Sequence, residues 1–293
     1  MKRIILILLF YSTLTNVTFG QQEAKTRDVE KVLLYENGTG HYADSIPSLD
    51  KKNTHVAKLE VPKINAKDKI ITHTGYSFLY SETHEQAYWV AYNLTKEETT
   101  RHFKRTDQFL PDPSVTTETA SDKDYKKSGF DRGHLAPAAD MGWSATTMAE
   151  SFYYSNMSPQ KPGFNRGIWK KLEELVRTWA VENQNIYIVT GPVLTNELQT
   201  IGPNGVAIPY YYYKVILDYN EPDIKSIGFI LPNSSSKEPL ENFAVPIDRV
   251  EKMTGIDFFP LLEDQQEEAL EKTLCLTCWS WHKTKSKNKK AKH

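Results

Sequence analysis

Runs of aromatic and β-branched residues alternate with polar, turn-rich stretches, and a single strongly amphipathic segment sits between them, so the sequence predicts an α+β domain. Its core is expected to be a mixed, mainly antiparallel sheet with flanking helices. There are no heptads, internal repeats or glycine-rich phosphate loops, which excludes coiled-coil, solenoid and nucleotide-binding P-loop architectures.

The elements follow in chain order. Residues 21–55 are polar and broken by Asn37-Gly38-Thr39-Gly40 and Ser45-Ile46-Pro47, and they form a leader in which no element can be assigned. Residues 70–80 and 87–94 are aromatic and partly alternating, which predicts two strands separated by the polar residues 81–86. Residues 110–124 are rich in Pro, Ser, Thr and Asp and predict an exposed loop. Residues 148–154 fit a short turn or strand. Ile168, Leu172, Leu175, Val176 and Trp179 recur at helical spacing, so residues 167–182 predict a helix. Residues 185–191 read as a buried strand, and residues 210–218 and 226–231 as two more. The run Tyr210-Tyr211-Tyr212-Tyr213 should place half of its rings in the core, because strand side chains alternate. A helix over 246–253 stops at Gly255, and residues 263–272 predict an acidic helix.

The 293 residues, 39% hydrophobic and 25% charged, suit one folded domain. Residues 1–20 carry a basic start, an apolar core and a small-residue exit, the pattern of a cleaved secretory signal. That implies a secreted or periplasmic protein with no integral membrane segment after signal removal. The organisation expected is therefore signal 1–20, leader 21–55, catalytic domain 56–270 and tail 271–293. Cys275 and Cys278 are the only cysteines, so the fold rests on its core and not on a disulfide framework. Their Cys-Leu-Thr-Cys spacing fits a local disulfide or two ordinary thiols, and His282 nearby does not complete a four-ligand zinc set. The net charge of −1 conceals six lysines in residues 283–293, which leaves an acidic body. Attraction to a polyanion then requires a locally positive site or help from the lysine tail.

The chemistry concentrates in Asp131-Arg132-Gly133-His134, followed by Ser155-Asn156 and by Asn165 and Glu173. A neutral imidazole with an unperturbed pKa near about 6.5 can take a proton from water. Arg132, two residues earlier on an extended strand, shares its side and offers a cation to phosphate, while Gly133 permits close approach of backbone or substrate. Asn165 supplies a neutral oxygen and Glu173 a carboxylate, a sparse donor set that suits a hydrated hard cation. On a straight helix their eight-residue separation is roughly 12 Å of rise, so both bind one ion directly only if the first turn is irregular.

This constellation resembles the DNA/RNA non-specific endonuclease family, the ββα-metal nucleases marked by Asp-Arg-Gly-His, over roughly residues 72–260. The resemblance implies a ββα-metal site in which His134 is the general base and Asn165 the metal ligand. It further implies that Glu173 holds metal-bound water, Arg132 and Arg105 contact phosphate, Asn156 supports the site, and Asp131 anchors the motif or meets the ion's water shell. The implied cofactor is Mg²⁺, with Mn²⁺ or another divalent cation able to substitute. The implied substrates are DNA and RNA without strong sequence preference, since no recognition helix, zinc finger or RNA-binding aromatic motif is present.

Two alternatives use the same residues. One is a catalytically silent module that binds a polyanion or protein, and the other a secreted toxin or effector. A homodimer, or an inhibitor or immunity protein, is the protein partner these readings leave open.

Overall fold

The computed structural model describes residues 56–281 apart from Glu118, together with the backbone of three short strands nearer the N-terminus. The chain divides into two units, residues 1–50 and 51–293. In the first, β1 (Gln21–Lys25), β2 (Lys31–Tyr35) and β3 (Gly40–Tyr42) form an antiparallel sheet in that order. Strands of three to five residues are too short for alternation to be counted, so none was expected there. Residues 1–20, His282 and the lysine tail lie outside the described residues.

The second unit is built on a seven-stranded antiparallel sheet. Its strands are β4 (Ile70–Thr72), β5 (Ser77–Ser81), β6 (Gln86–Thr95), β9 (Asn185–Pro192), β12 (Tyr211–Asp218), β13 (Lys225–Pro232) and β14 (Ala244–Val245), in the spatial order β14-β13-β12-β9-β6-β5-β4. Two small hairpin-like pairs stand apart: β7 (Asp131–His134) with β8 (Met157–Gln160), and β10 (Thr200–Ile201) with β11 (Val206–Ala207). The helices are α1 (Asp122–Tyr125), α2 (Ala145–Glu150), α3 (Lys170–Asn183), α4 (Ile247–Thr254) and α5 (Asp264–Lys272). The expected α+β class with a mainly antiparallel sheet is the one observed. Among the described residues, no helix is long and apolar enough to cross a membrane.

Both faces of the central strands are covered, which is why β9 reads as a continuous apolar run. Ile186 and Ile188 pack with Tyr92, Ile216 and Phe229 beneath Leu172, Val176 and Trp179 of α3. Their neighbours Tyr187 and Val189 point the other way, with Trp89, Val215 and Leu217, against Ile247 and Val250 of α4 and against Phe258. The tyrosine run divides by position and not by alternation: Tyr212 and Tyr213 point to opposite faces that are both covered, and Tyr210 and Tyr211, at the start of the strand, are exposed. At the end of α4, Gly255 adopts φ 71° and its N–H donates to Glu251 O at 2.7 Å, the left-handed cap expected there.

Three local expectations change. The predicted strand over 70–80 is two strands, β4 and β5, with a turn between them. Residues 110–124 are not simply an exposed loop, since Asp112, Val115, Ala120 and Asp124 are buried and the last residues form α1. Asp112 is held by His73 Nε2 at 2.8 Å and Ser155 Oγ at 2.5 Å, long-range partners that composition cannot reveal. Residues 148–154 include the end of α2, whose start is capped by Ser144 Oγ accepting from Thr147 N. Cys275 and Cys278 form a local disulfide.

Because Ile188 sits on the central strand and is fully buried, Ile188→Ala is expected to lower unfolding free energy by about 2–5 kcal/mol. Urea denaturation measures it; a loss below about 1 kcal/mol would mean that the sheet centre repacks freely.

Candidate active site

The β7–β8 pair sets out the motif. Asp131 stands opposite Gln160, Arg132 opposite Pro159, Gly133 opposite Ser158 and His134 opposite Met157. Gly133 is required by Gln160: a Cβ at Gly133 would lie 2.2 Å from Gln160 Cδ and Oε1, and Gln160 is fully buried. Asn156 does its work next door. Its Oδ1 accepts from Ala136 N at 2.9 Å, and its Nδ2 donates to Ala136 O at 2.9 Å and Ser151 O at 2.8 Å. With Leu135 N donating to Asn156 O at 3.0 Å, the residue braces the chain leaving His134. Asn156 is fully buried and does not line the cavity, so its place is structural support.

The remaining predicted residues converge on one open cavity of about 870 Å³. His134 is 8% exposed, edge-on to Phe152 with ring centroids 4.9 Å apart, and its Nε2 has no hydrogen-bond partner. Burial, and then the charges of Arg105 and Arg132, push its pKa down to about 3. The ring is therefore neutral across the physiological range. Arg132 donates to Asp122 Oδ1 and places its guanidinium carbon 4.0 Å from the centre of the Phe109 ring. Arg105 lies 4.9 Å from the centre of the Phe152 ring and pairs with Asp107 at 2.5 Å.

Asn165 lies in a π-helical turn, Phe164–Trp169, that precedes α3, and Gly167 breaks the helical path there with φ −105° and ψ −110°. This is the irregular first turn that the spacing of Asn165 and Glu173 required. Asn165 Nδ2 donates to Asp131 Oδ2 at 2.9 Å. Arg166 grips the same carboxylate with Nε at 2.8 Å and Nη2 at 2.6 Å. With its nitrogen spent on Asp131, Asn165 keeps its amide oxygen for the cavity.

Glu173 enters from α3. Burial raises its pKa, while the charges of Lys214 and Arg177 oppose that rise. Lys214 of β12 is fully buried, with Nζ 5.0 Å from the centre of the Trp169 ring. Arg177 donates to Asp140 Oδ1 at 2.6 Å, and Tyr92 Oη donates to Asp140 Oδ2 at 2.8 Å.

Arg101, Arg105, Arg132, Arg166, Lys170 and Arg177 line the cavity against four acidic residues, Asp107, Asp131, Glu173 and Glu174. The wall is thus locally positive on a chain whose net charge is −1. Among the described residues, no three imidazole, thiolate or carboxylate ligands converge here. The donors are an amide oxygen and a carboxylate, which fits a hard cation that keeps most of its water and does not fit zinc.

Arg101, Arg166, Lys170, Arg177 and Lys214 were not anticipated. Arg177 follows Glu173 by four residues and was within reach of helical spacing, whereas Arg166, directly after Asn165, reaches Asp131 only because the turn there is irregular. Lys214 shares the inward parity of Tyr212 and Ile216.

A neutral buried imidazole, an excess of cationic side chains and an oxygen-donor pair share one cavity, an arrangement suited to a nuclease. The comparisons with known proteins give the family. The family model described as DNA/RNA non-specific endonuclease matches residues 56–265. The mitochondrial nuclease EXOG of Danio rerio is 33% identical over 253 residues, covering 80% of this chain and 71% of that protein. The mitochondrial endonuclease G of Homo sapiens is 36% identical over 201 residues, covering 64% and 68%. A solved EndoG/EndoGI complex aligns with TM-score 0.65 and 31% identity over 70% of this chain and 90% of that one. The chain belongs to the DNA/RNA non-specific endonuclease family.

The relatives correct the expected location. A basic start and an apolar run suggested a secreted or periplasmic protein, but the zebrafish and human relatives are named as mitochondrial. They point to mitochondria and not to export. Such a leader marks targeting more surely than it identifies the compartment.

Asn156→Ala removes three side-chain hydrogen bonds from a fully buried position. It is expected to cost about 1–3 kcal/mol or more in unfolding free energy, measured by urea titration. Lost activity with unchanged stability would instead make Asn156 a reacting group.

Proposed function

We propose that this chain hydrolyses the phosphodiester bonds of DNA and RNA without reading sequence, with Mg²⁺ as its cofactor. The observation that carries this reading is the unpartnered Nε2 of a neutral His134 in the same cavity as Asn165 and Glu173. In this reading His134 Nε2 accepts the proton of the attacking water as its oxygen adds to phosphorus. Arg132 and Arg105 bind the phosphate oxygens, Arg132 in competition with Asp122. Asn165 Oδ1 and Glu173 are the residues that would hold the ion, and Asp131 keeps the Asn165 amide turned. As the water oxygen adds, the bond from phosphorus to the departing sugar oxygen breaks, and a divalent ion there would supply Lewis-acid stabilisation of the charge that develops. The cavity cations approach the sugar-phosphate chain, which both polymers share, and that supports action on DNA and RNA alike. An inhibitor as partner is supported by the solved EndoG/EndoGI complex, in which EndoG is inhibited.

Purified protein incubated with plasmid DNA and with RNA is expected to degrade both with Mg²⁺ and neither with chelator. His134→Ala should lose at least about a hundredfold in rate; equal cutting by the mutant would remove His134 from its role.

His134 also makes stability depend on pH. Its folded pKa of about 3 lies below the unfolded value of about 6.5, so the unfolded chain takes up the proton first as pH falls. The contribution is complete above pH 6.5 or so and is lost between there and about 3. Over that window the wild type should lose up to about 1.4 kcal/mol per pH unit from this group, and His134→Ala should show a correspondingly flatter profile. Parallel profiles in urea denaturation would contradict the buried neutral ring.

A further inference from the structure

On the sheet face opposite α3, α4 and α5 pack against β13 and against each other. They bring three carboxylates together. Asp248 and Glu251 lie one helical turn apart on α4, and Glu271 lies near the end of α5. One ligand oxygen from each falls within 4.8 Å of the others. Phe258 N donates to Glu251 Oε1 at 2.9 Å, which fixes that carboxylate in place.

An acidic cluster on a surface means little, but Glu271 is not on the surface. It is 9% exposed, and its Oε1 is buried without a hydrogen-bond partner. Glu267 Oε1, one turn earlier on α5, is in the same condition. Buried carboxylate oxygens are ordinarily satisfied by a donor or a cation. Among the described residues no basic side chain forms an ion pair with Asp248, Glu251 or Glu271; Lys63 pairs with Asp257 at 2.7 Å and Lys272 with Glu268. Burial and the facing Glu251 push the Glu271 pKa up to about 9, the sign of repulsion that a bound cation would relieve.

We propose that Asp248, Glu251 and Glu271 form a second metal site, binding a calcium-type divalent cation that staples α5 to α4. The size follows from the geometry. Calcium–oxygen distances of about 2.3–2.6 Å place oxygens across the ion up to about 5 Å apart, whereas magnesium at about 2.0–2.1 Å would have to draw them in. The site does not depend on the function assigned to the cavity, which lies on the α3 side of the sheet.

The test is calorimetric titration with CaCl₂ of the full chain carrying Asn165→Ala, which disables the proposed ion ligand of the cavity. One Ca²⁺ per chain should bind, and the thermal midpoint should rise with Ca²⁺. Adding Glu271→Gln should weaken that binding at least about tenfold and abolish the thermal shift. Asp248→Asn, at a half-buried position, should do the same if Glu271→Gln does not fold. Absence of calcium binding at millimolar concentration, or equal binding by both chains, would overturn the site and leave a carboxyl pair sharing a proton. Tighter binding of Mg²⁺ than of Ca²⁺ would overturn the assignment of the ion.

Discussion

Asp131 reaches from β7 to the kinked turn ahead of α3, where its two oxygens accept from Asn165 Nδ2 and from Nε and Nη2 of Arg166. Two elements remote in sequence are tied at that carboxylate. One is the strand that carries Arg132 and His134, and the other is the turn that delivers Asn165 and then Glu173. An isolated amide can rotate either end toward the cavity; the carboxylate accepts only from nitrogen, so it selects the orientation. The two-pronged grip of Arg166 keeps the carboxylate itself from turning.

The charge pattern resolves the conflict between an acidic chain and a polyanionic substrate. Cations line the cavity in excess, yet several are already engaged: Arg132 with Asp122, Arg105 with Asp107, Arg166 with Asp131 and Arg177 with Asp140. These pairs hold the guanidinium groups in position around the cavity. The same field, with burial, keeps His134 neutral. A ring that stays unprotonated near pH 7 can accept a proton, although the same burial lowers its basicity.

Much of this was legible in the sequence, for reasons that differ by residue. The motif of Asp131 to His134 and the downstream Asn165 and Glu173 could be read because together they resemble a family pattern, and Asp131, Arg132, His134, Asn165 and Glu173 line the cavity. The sandwiched β9 and the helix α3 could be read because their periodicity reports burial directly. The partners of Gly133 and Asn156 were not legible, since what they touch, Gln160 in one case and the backbone at Ala136 in the other, is fixed by pairing of β7 with β8 and the packing around it. Asp112 was hidden more deeply, because its burial depends on His73, thirty-nine residues away. Composition describes a segment's own preferences, and tertiary partners overrode them there.

Asp131 takes the Asn165 Nδ2 and so leaves the amide oxygen for the cavity, where the proposed ion would bind. The most direct measurement is Mn²⁺ affinity by calorimetry for Asp131→Asn against the unmodified residue, in chains that also carry Glu271→Gln so that the cavity alone is titrated. Loss of the carboxylate partner is expected to weaken the ion about ten- to hundredfold while leaving the fold intact. Unchanged affinity in a folded Asp131→Asn protein would contradict the account.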